Sequence, residues 1–160
     1  MKPTLYLEPT VPSYYVARPS RDIIVLAHQE ITRKWWEQRL PLFDVYISPL
    51  VLEESRQGDQ DQARRRLQIL AEYPILGVNP EVERLARIYM QQLGLPGKAI
   101  RDAAHIAFAC AYGIEYLVTW NCAHIANAEI RRRLMEINSR SGIETPIICT
   151  PEELMGIEEE

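Results

Sequence analysis

Five polar residues could share one chemistry in this chain: Glu8, Glu54, Asp102, Asn121 and His124. Each stands beside or just past a short apolar run. Glu8 follows Thr4-Leu5-Tyr6-Leu7, and Glu54 lies two helical turns after Ser48. Asp102 sits among Ala103, Ala104, Ile106 and Ala107, and Asn121 and His124 follow Glu115-Tyr116-Leu117-Val118-Thr119. An acid in apolar surroundings is costly unless paired or liganded. Oxygen ligands gathered at one edge of a sheet suit Mg²⁺ or Mn²⁺, hard cations that take carboxylates, water and substrate phosphate. Such an ion lowers the pKa of a bound water and stabilises charge developing on a phosphodiester during in-line attack. Singly, each residue has a plainer reading. Glu8 reads as a solvated strand-end acid, one of Glu53 and Glu54 as a solvated helix face, Asp102 as a buried acid on a backbone amide, and His124 as a packed or surface histidine. Their joint placement is what points to a site.

That placement rests on the elements around them. Short β-prone runs over residues 4–7, 44–48, 74–78, 115–119 and 146–149 read as strands. Between them lie helical stretches. Ile23, Ile24, Ala27, Ile31 and Trp35 recur near helical spacing, and Ser48-Pro49 and Asn79-Pro80 read as N-caps with proline at the first helical position. Asp59 with Gln62, and Thr150 with Glu153, have the spacing of capping boxes. Leu67, Leu70 and Ala71 read as the buried side of the helix after Asp59. Further helices are expected over 98–112, stopped by Gly113, and over 125–137. Alternating strands and helices imply an α/β three-layer sandwich, a mostly parallel central sheet covered by helices. In such sheets ligands collect outside the carboxyl ends of the strands, where the five residues fall. Residues 1–155 are expected to form one domain, followed by an acidic tail over 156–160.

Composition bounds the partners. The chain has 160 residues, 47% of them hydrophobic, enough to bury a core, and a formal charge of −4. Glu158, Glu159 and Glu160 account for three of those negative charges, so the rest is near neutral. Two basic runs, Arg64–Arg66 and Arg131–Arg133, read as solvated helix faces or phosphate contacts, and Lys98 and Arg101 flank Asp102 as better-placed phosphate contacts. His105 shares a helix face with Asp102, which makes it a substrate contact or a satisfied structural histidine. Three cysteines without a CxxC pair suit a reducing compartment and neither a thiolate zinc site nor a disulfide framework. No apolar run has the length of a membrane span and no signal peptide is visible, so a cytoplasmic protein is expected. No G-x-G-x-x-G, Walker or G-x-S-x-G motif occurs. The pairs Tyr14–Tyr15 and Trp35–Trp36 offer aromatic surface for a two-fold contact.

Four segments carry a resemblance. They are Tyr6-Leu7-Glu8-Pro9-Thr10-Val11; Ser48 leading to Glu54 with Gly58 four residues on; Asp102-Ala103-Ala104-His105-Ile106-Ala107; and Thr119-Trp120-Asn121. In this order they resemble the PIN-domain family of metal-dependent nucleases, especially the VapC-like toxin ribonucleases of type II toxin–antitoxin pairs. The resemblance runs from Leu5 to about Leu154. It implies a Mg²⁺- or Mn²⁺-dependent endoribonuclease, with an RNA substrate, an antitoxin protein as partner and a homodimer as assembly. By the same resemblance Glu8, Glu54, Asp102 and Asn121 are catalytic. Glu8 and Asp102 hold the metal, with Glu54 and His124 as further candidate ligands, and Ser48, Lys98, Arg101, His105 and Thr119 are candidate substrate contacts. Two positions depart from the family pattern: Glu8 replaces its usual aspartate, and His124 stands where it has a fourth acid. The departures motivate an alternative, a PIN-like module that holds nucleic acid or protein without cleaving.

Overall fold

The computed structural model describes residues 1–157; Glu158, Glu159 and Glu160 of the expected acidic tail lie outside the described residues. Four short strands, β1 (Thr4–Leu7), β2 (Asp44–Tyr46), β3 (Tyr116–Val118) and β4 (Ile147–Cys149), form one sheet in the order β2-β1-β3-β4. Every pairing is parallel: Leu5 lies opposite Val45 and Tyr116, and Val118 opposite Cys149. The helices are α1 (Thr10–Val16), α2 (Ile23–Gln38), α3 (Pro49–Ser55), α4 (Gln60–Leu70), α5 (Pro80–Gln92), α6 (Ile100–Ala111) and α7 (Ala128–Arg140). Helix α1 packs on α2 and α4, and α5 packs on α6 and α7, giving a three-layer sandwich about the sheet. No helix is long and apolar enough to cross a membrane among the described residues.

The core follows from burial of both sheet faces. Leu5, Tyr6 and Leu7 on β1 and Leu117 and Val118 on β3 have no exposure, as central parallel strands require. The predicted caps form at two helices: the Ser48 hydroxyl accepts from the Val51 amide at 3.3 Å, and the Asn79 side chain from the Val82 amide at 2.9 Å. Gly113, with φ +65°, ends α6 in the left-handed conformation that suits glycine. Thr150 and Glu153 make the expected reciprocal box, amide to carboxylate at 3.1 Å and amide to hydroxyl at 3.4 Å.

Several expectations are corrected. Residues 74–78 form no strand; one bridge, Ile47 to Ile75, is all that pairs there. Asp59 caps α4 through the Asp61 amide at 3.2 Å, but Gln62 does not complete the box, and its buried Oε1 has no partner among the described residues. On that helix Ala63 and Leu70 are buried, whereas Ala71 is exposed. Helix α7 starts at Ala128 because the Asn127 side chain caps it, accepting from the Glu129 and Ile130 amides. On α2 the buried residues are Gln29, Thr32 and Trp35, while Ile23 and Ile24 are 80% and 65% exposed. Polar Gln29 and Thr32 can be buried because each is bonded, Gln29 to the backbone of Arg18 and Ser20 and Thr32 to the His28 carbonyl.

Candidate active site

Glu8 continues β1, its amide donating to the Val118 carbonyl at 3.1 Å, so the carboxylate emerges between β1 and β3 at the carboxyl edge of the sheet. It is 3% exposed. Thr10, two residues on, donates its amide to Oε1 at 2.7 Å and its hydroxyl to the same oxygen. Burial pushes the Glu8 carboxyl pKa up; hydrogen bonds from Thr10 and Thr119 partly offset this.

Asp102 lies in the first turn of α6, half-buried. Its Oδ1 accepts from Asn121 Nδ2 at 3.0 Å, and Oδ2 meets His124 Nδ1 at 2.9 Å. Asn121 Oδ1 in turn accepts from the His124 amide at 3.0 Å. The loop after β3 thus closes on α6 through one carboxylate. Thr119 shapes that loop, its hydroxyl accepting from the Asn121 amide at 2.9 Å.

Glu54 sits on α3, and its Oε2 meets His105 Nε2 at 3.0 Å. His105 Nδ1 lies 2.6 Å from the Tyr6 hydroxyl, which lies 2.8 Å from Ser48 Oγ. One assignment satisfies every group. Ser48 donates to Tyr6, Tyr6 donates to Nδ1, and Nε2–H donates to the acceptor-only carboxylate of Glu54. Burial raises the Tyr6 pKa well above its ordinary value, so the phenol keeps the proton this chain needs. The chain runs through β1, the start of α3 and α6, and ends on Glu54.

Ser48, His105 and Thr119 have no exposure and spend their polar atoms on other protein groups, whereas Lys98 and Arg101 are exposed. Arg101 lies 3.6 Å from Glu53, the solvated neighbour of Glu54. Sequence reasoning overlooked Tyr6, which reads as a core strand residue, and Thr10, whose spacing from Glu8 is that of a local side-chain-to-backbone turn. It also overlooked Trp120, whose indole donates to the Thr32 hydroxyl at 2.7 Å and whose amide donates to the Thr10 hydroxyl at 2.9 Å.

The donor chemistry suits a hard divalent cation. The close side-chain partners of Asp102 and Glu54 include histidines, and among the described residues no lysine or arginine pairs with Asp102, Glu54 or Glu8. Their placement is less complete than the sequence suggested. Among the described residues no group of three or more Asp, Glu, His or Cys side chains is arranged to hold a metal. Glu54 is turned to His105, and Asp102 to Asn121 and His124. Magnesium does not demand a full protein cage; it is commonly held by one or two carboxylates with water and substrate phosphate completing the shell.

No protein-family model and no curated protein matches the sequence. Solved structures match its fold. VapC20 of Mycobacterium tuberculosis, a sarcin–ricin loop cleaving toxin, superposes with a TM-score of 0.60 at 15% identity over 76% of this chain and 92% of its own. VapBC2 of Rickettsia felis, solved bound to a fragment of promoter DNA, superposes with a TM-score of 0.56 at 17% identity over 92% of this chain and 98% of the other. The chain therefore has the fold these two proteins share, the PIN fold that its sequence motifs resemble.

Proposed function

We propose that this protein is a Mg²⁺- or Mn²⁺-dependent endoribonuclease, the toxin of a toxin–antitoxin pair acting in the cytoplasm. The observation that carries the reading is that none of Glu8, Glu54 and Asp102, acids set next to β1, on α3 and in the first turn of α6, is paired with a lysine or arginine among the described residues. Glu8 and Asp102 would hold the cation, with Glu54 and His124 as further ligands. When bound, it would supply an activated water and stabilise charge on the phosphate. The protein's own part is positional. Asn121 and His124 fix the rotamer of Asp102, Thr10 fixes Glu8, and the Ser48–Tyr6–His105 chain fixes Glu54. Lys98 and Arg101, exposed beside α6, are placed to meet substrate phosphates. The toxin role draws on VapC20 and VapBC2, and an antitoxin and a homodimer are proposed on the same footing.

The test is cleavage of labelled RNA by purified protein in Mn²⁺, Mg²⁺ or EDTA, with Asp102→Asn beside wild type. Products that require metal and disappear in the variant support the reading. RNA held without cleavage under every condition favours a binding module instead, the reading favoured by carboxylates already engaged with protein donors.

A further inference from the structure

A cavity of about 270 Å³ opens beside the candidate site, lined by Pro9, Thr10, Tyr14, Glu54, Gln57 and Arg66 among others. Two of these join it to the site: Thr10 holds Glu8, and Glu54 ends the histidine–tyrosine chain. Small-molecule pockets run from about 300 Å³ upward, so this one has room for a single compact group.

Two linings have the chemistry of a nucleotide. Tyr14 is half-exposed, and its ring lies nearly parallel to Trp120, centroids 6.2 Å apart at 21°, and to His28, 6.5 Å apart at 23°. Trp120 is itself stacked on His28 at 4.1 Å and pinned by its bonds to Thr32 and Thr10. The Tyr14 ring is thus oriented before any ligand arrives, which lowers the ordering cost of stacking on it. Arg66 is the second lining. Its neighbours Arg64 and Arg65 are paired with Asp61 at 2.7 and 3.5 Å. Arg66 instead donates to the Ser55 and Gln57 carbonyls at 3.0 and 2.5 Å, and no carboxylate neutralises it among the described residues. Its charge is held in place and left available to an anion.

We propose that this cavity is a subsite for one nucleotide of single-stranded RNA next to the scissile phosphate, its base stacked on Tyr14 and its phosphate paired with Arg66. The proposal rests on the ribonuclease reading and adds to it. Stacking on a tyrosine face tolerates any base, so the subsite positions the strand and leaves sequence choice to other contacts.

The test measures binding of a fluorescent oligouridylate by anisotropy in the cleavage-deficient Asp102→Asn background, with wild-type cleavage run in parallel. Tyr14→Ala weakens binding about five-fold or more, the low end for loss of one base–aromatic stack, and Tyr14→Phe, which keeps the ring, restores most of it. Arg66→Gln lowers the slope of log affinity against log salt by about 0.7, the single-strand value for one phosphate, and Arg66→Lys does not. RNA that is cleaved and bound with equal affinity by Tyr14→Ala overturns the subsite and leaves the ribonuclease standing. Wild-type protein that neither binds nor cleaves the oligonucleotide removes both.

Discussion

At the scale of single residues, one acid of the site is held by the fold against its own solvation. Glu8 shows the cost. Its buried carboxyl keeps a proton to higher pH than it would in the unfolded chain. Stability therefore falls as pH rises from the unfolded value near 4.3 through the raised native value. Glu8→Gln removes that penalty. In EDTA its melting temperature should exceed that of wild type at pH 7, at about 2–4 °C per kcal/mol for a chain of this size, and the gain should vanish near pH 4. A shift of equal size at both pH values would show that packing, and not ionisation, sets the difference. His124 supplies a second prediction. It stands against Asp102 at 2.9 Å where the family pattern has an acid. A neutral imidazole is a softer ligand than a carboxylate and favours Mn²⁺ over Mg²⁺. His124→Asp should therefore raise Mg²⁺-supported cleavage relative to Mn²⁺; an unchanged metal preference places His124 outside the metal shell.

At the scale of elements, each acid depends on a junction between a strand and a helix. Ser48 serves two at once, capping α3 and ending the chain through Tyr6 and His105 to Glu54. Ser48→Ala should cost about 0.5–2 kcal/mol in urea unfolding, the range for a lost N-cap, and should lower cleavage by loosening Glu54. Full stability with full activity would show that the chain of bonds carries nothing. The cap residues, the parallel strands and the order of Glu8, Glu54 and Asp102 along the chain were legible because each is a local pattern. The partners of those acids were not. Tyr6 and His105 are 99 residues apart in sequence, and nothing in either neighbourhood announces a 2.6 Å contact. The false strand at 74–78 failed for a related reason. Its β-prone residues were visible, but pairing is decided by a neighbour that reaches only Ile75. The buried face of α2 was misread because Gln29 and Thr32 find hydrogen bonds in the interior while Ile23 and Ile24 are left outside.

At the scale of the whole molecule, the aromatic pairs expected at a dimer contact stack in part within the chain, and Tyr14, Tyr15 and Trp36 stay half-exposed. Trp35 has no exposure, Trp36 stacks on Tyr15 with centroids 4.6 Å apart, and Tyr14 stacks on Trp120. The large apolar residues left exposed on α2 are Ile23 and Ile24 in its first turn. Light scattering should give a mass about double the 18.5 kDa chain, reduced to one chain by Ile23→Glu with Ile24→Glu. A single-chain mass for wild type would remove the dimer. The central claim is that three acids from separate elements serve one divalent cation. Electron paramagnetic resonance of Mn²⁺ titrated with the protein tests it most directly, because it counts bound metal without needing the right RNA. The account predicts one Mn²⁺ bound per chain and displaced by excess Mg²⁺, with affinity lowered at least about ten-fold in folded Glu8→Gln and in folded Asp102→Asn. Mn²⁺ that stays free with wild type, or binds both variants as tightly, would contradict it.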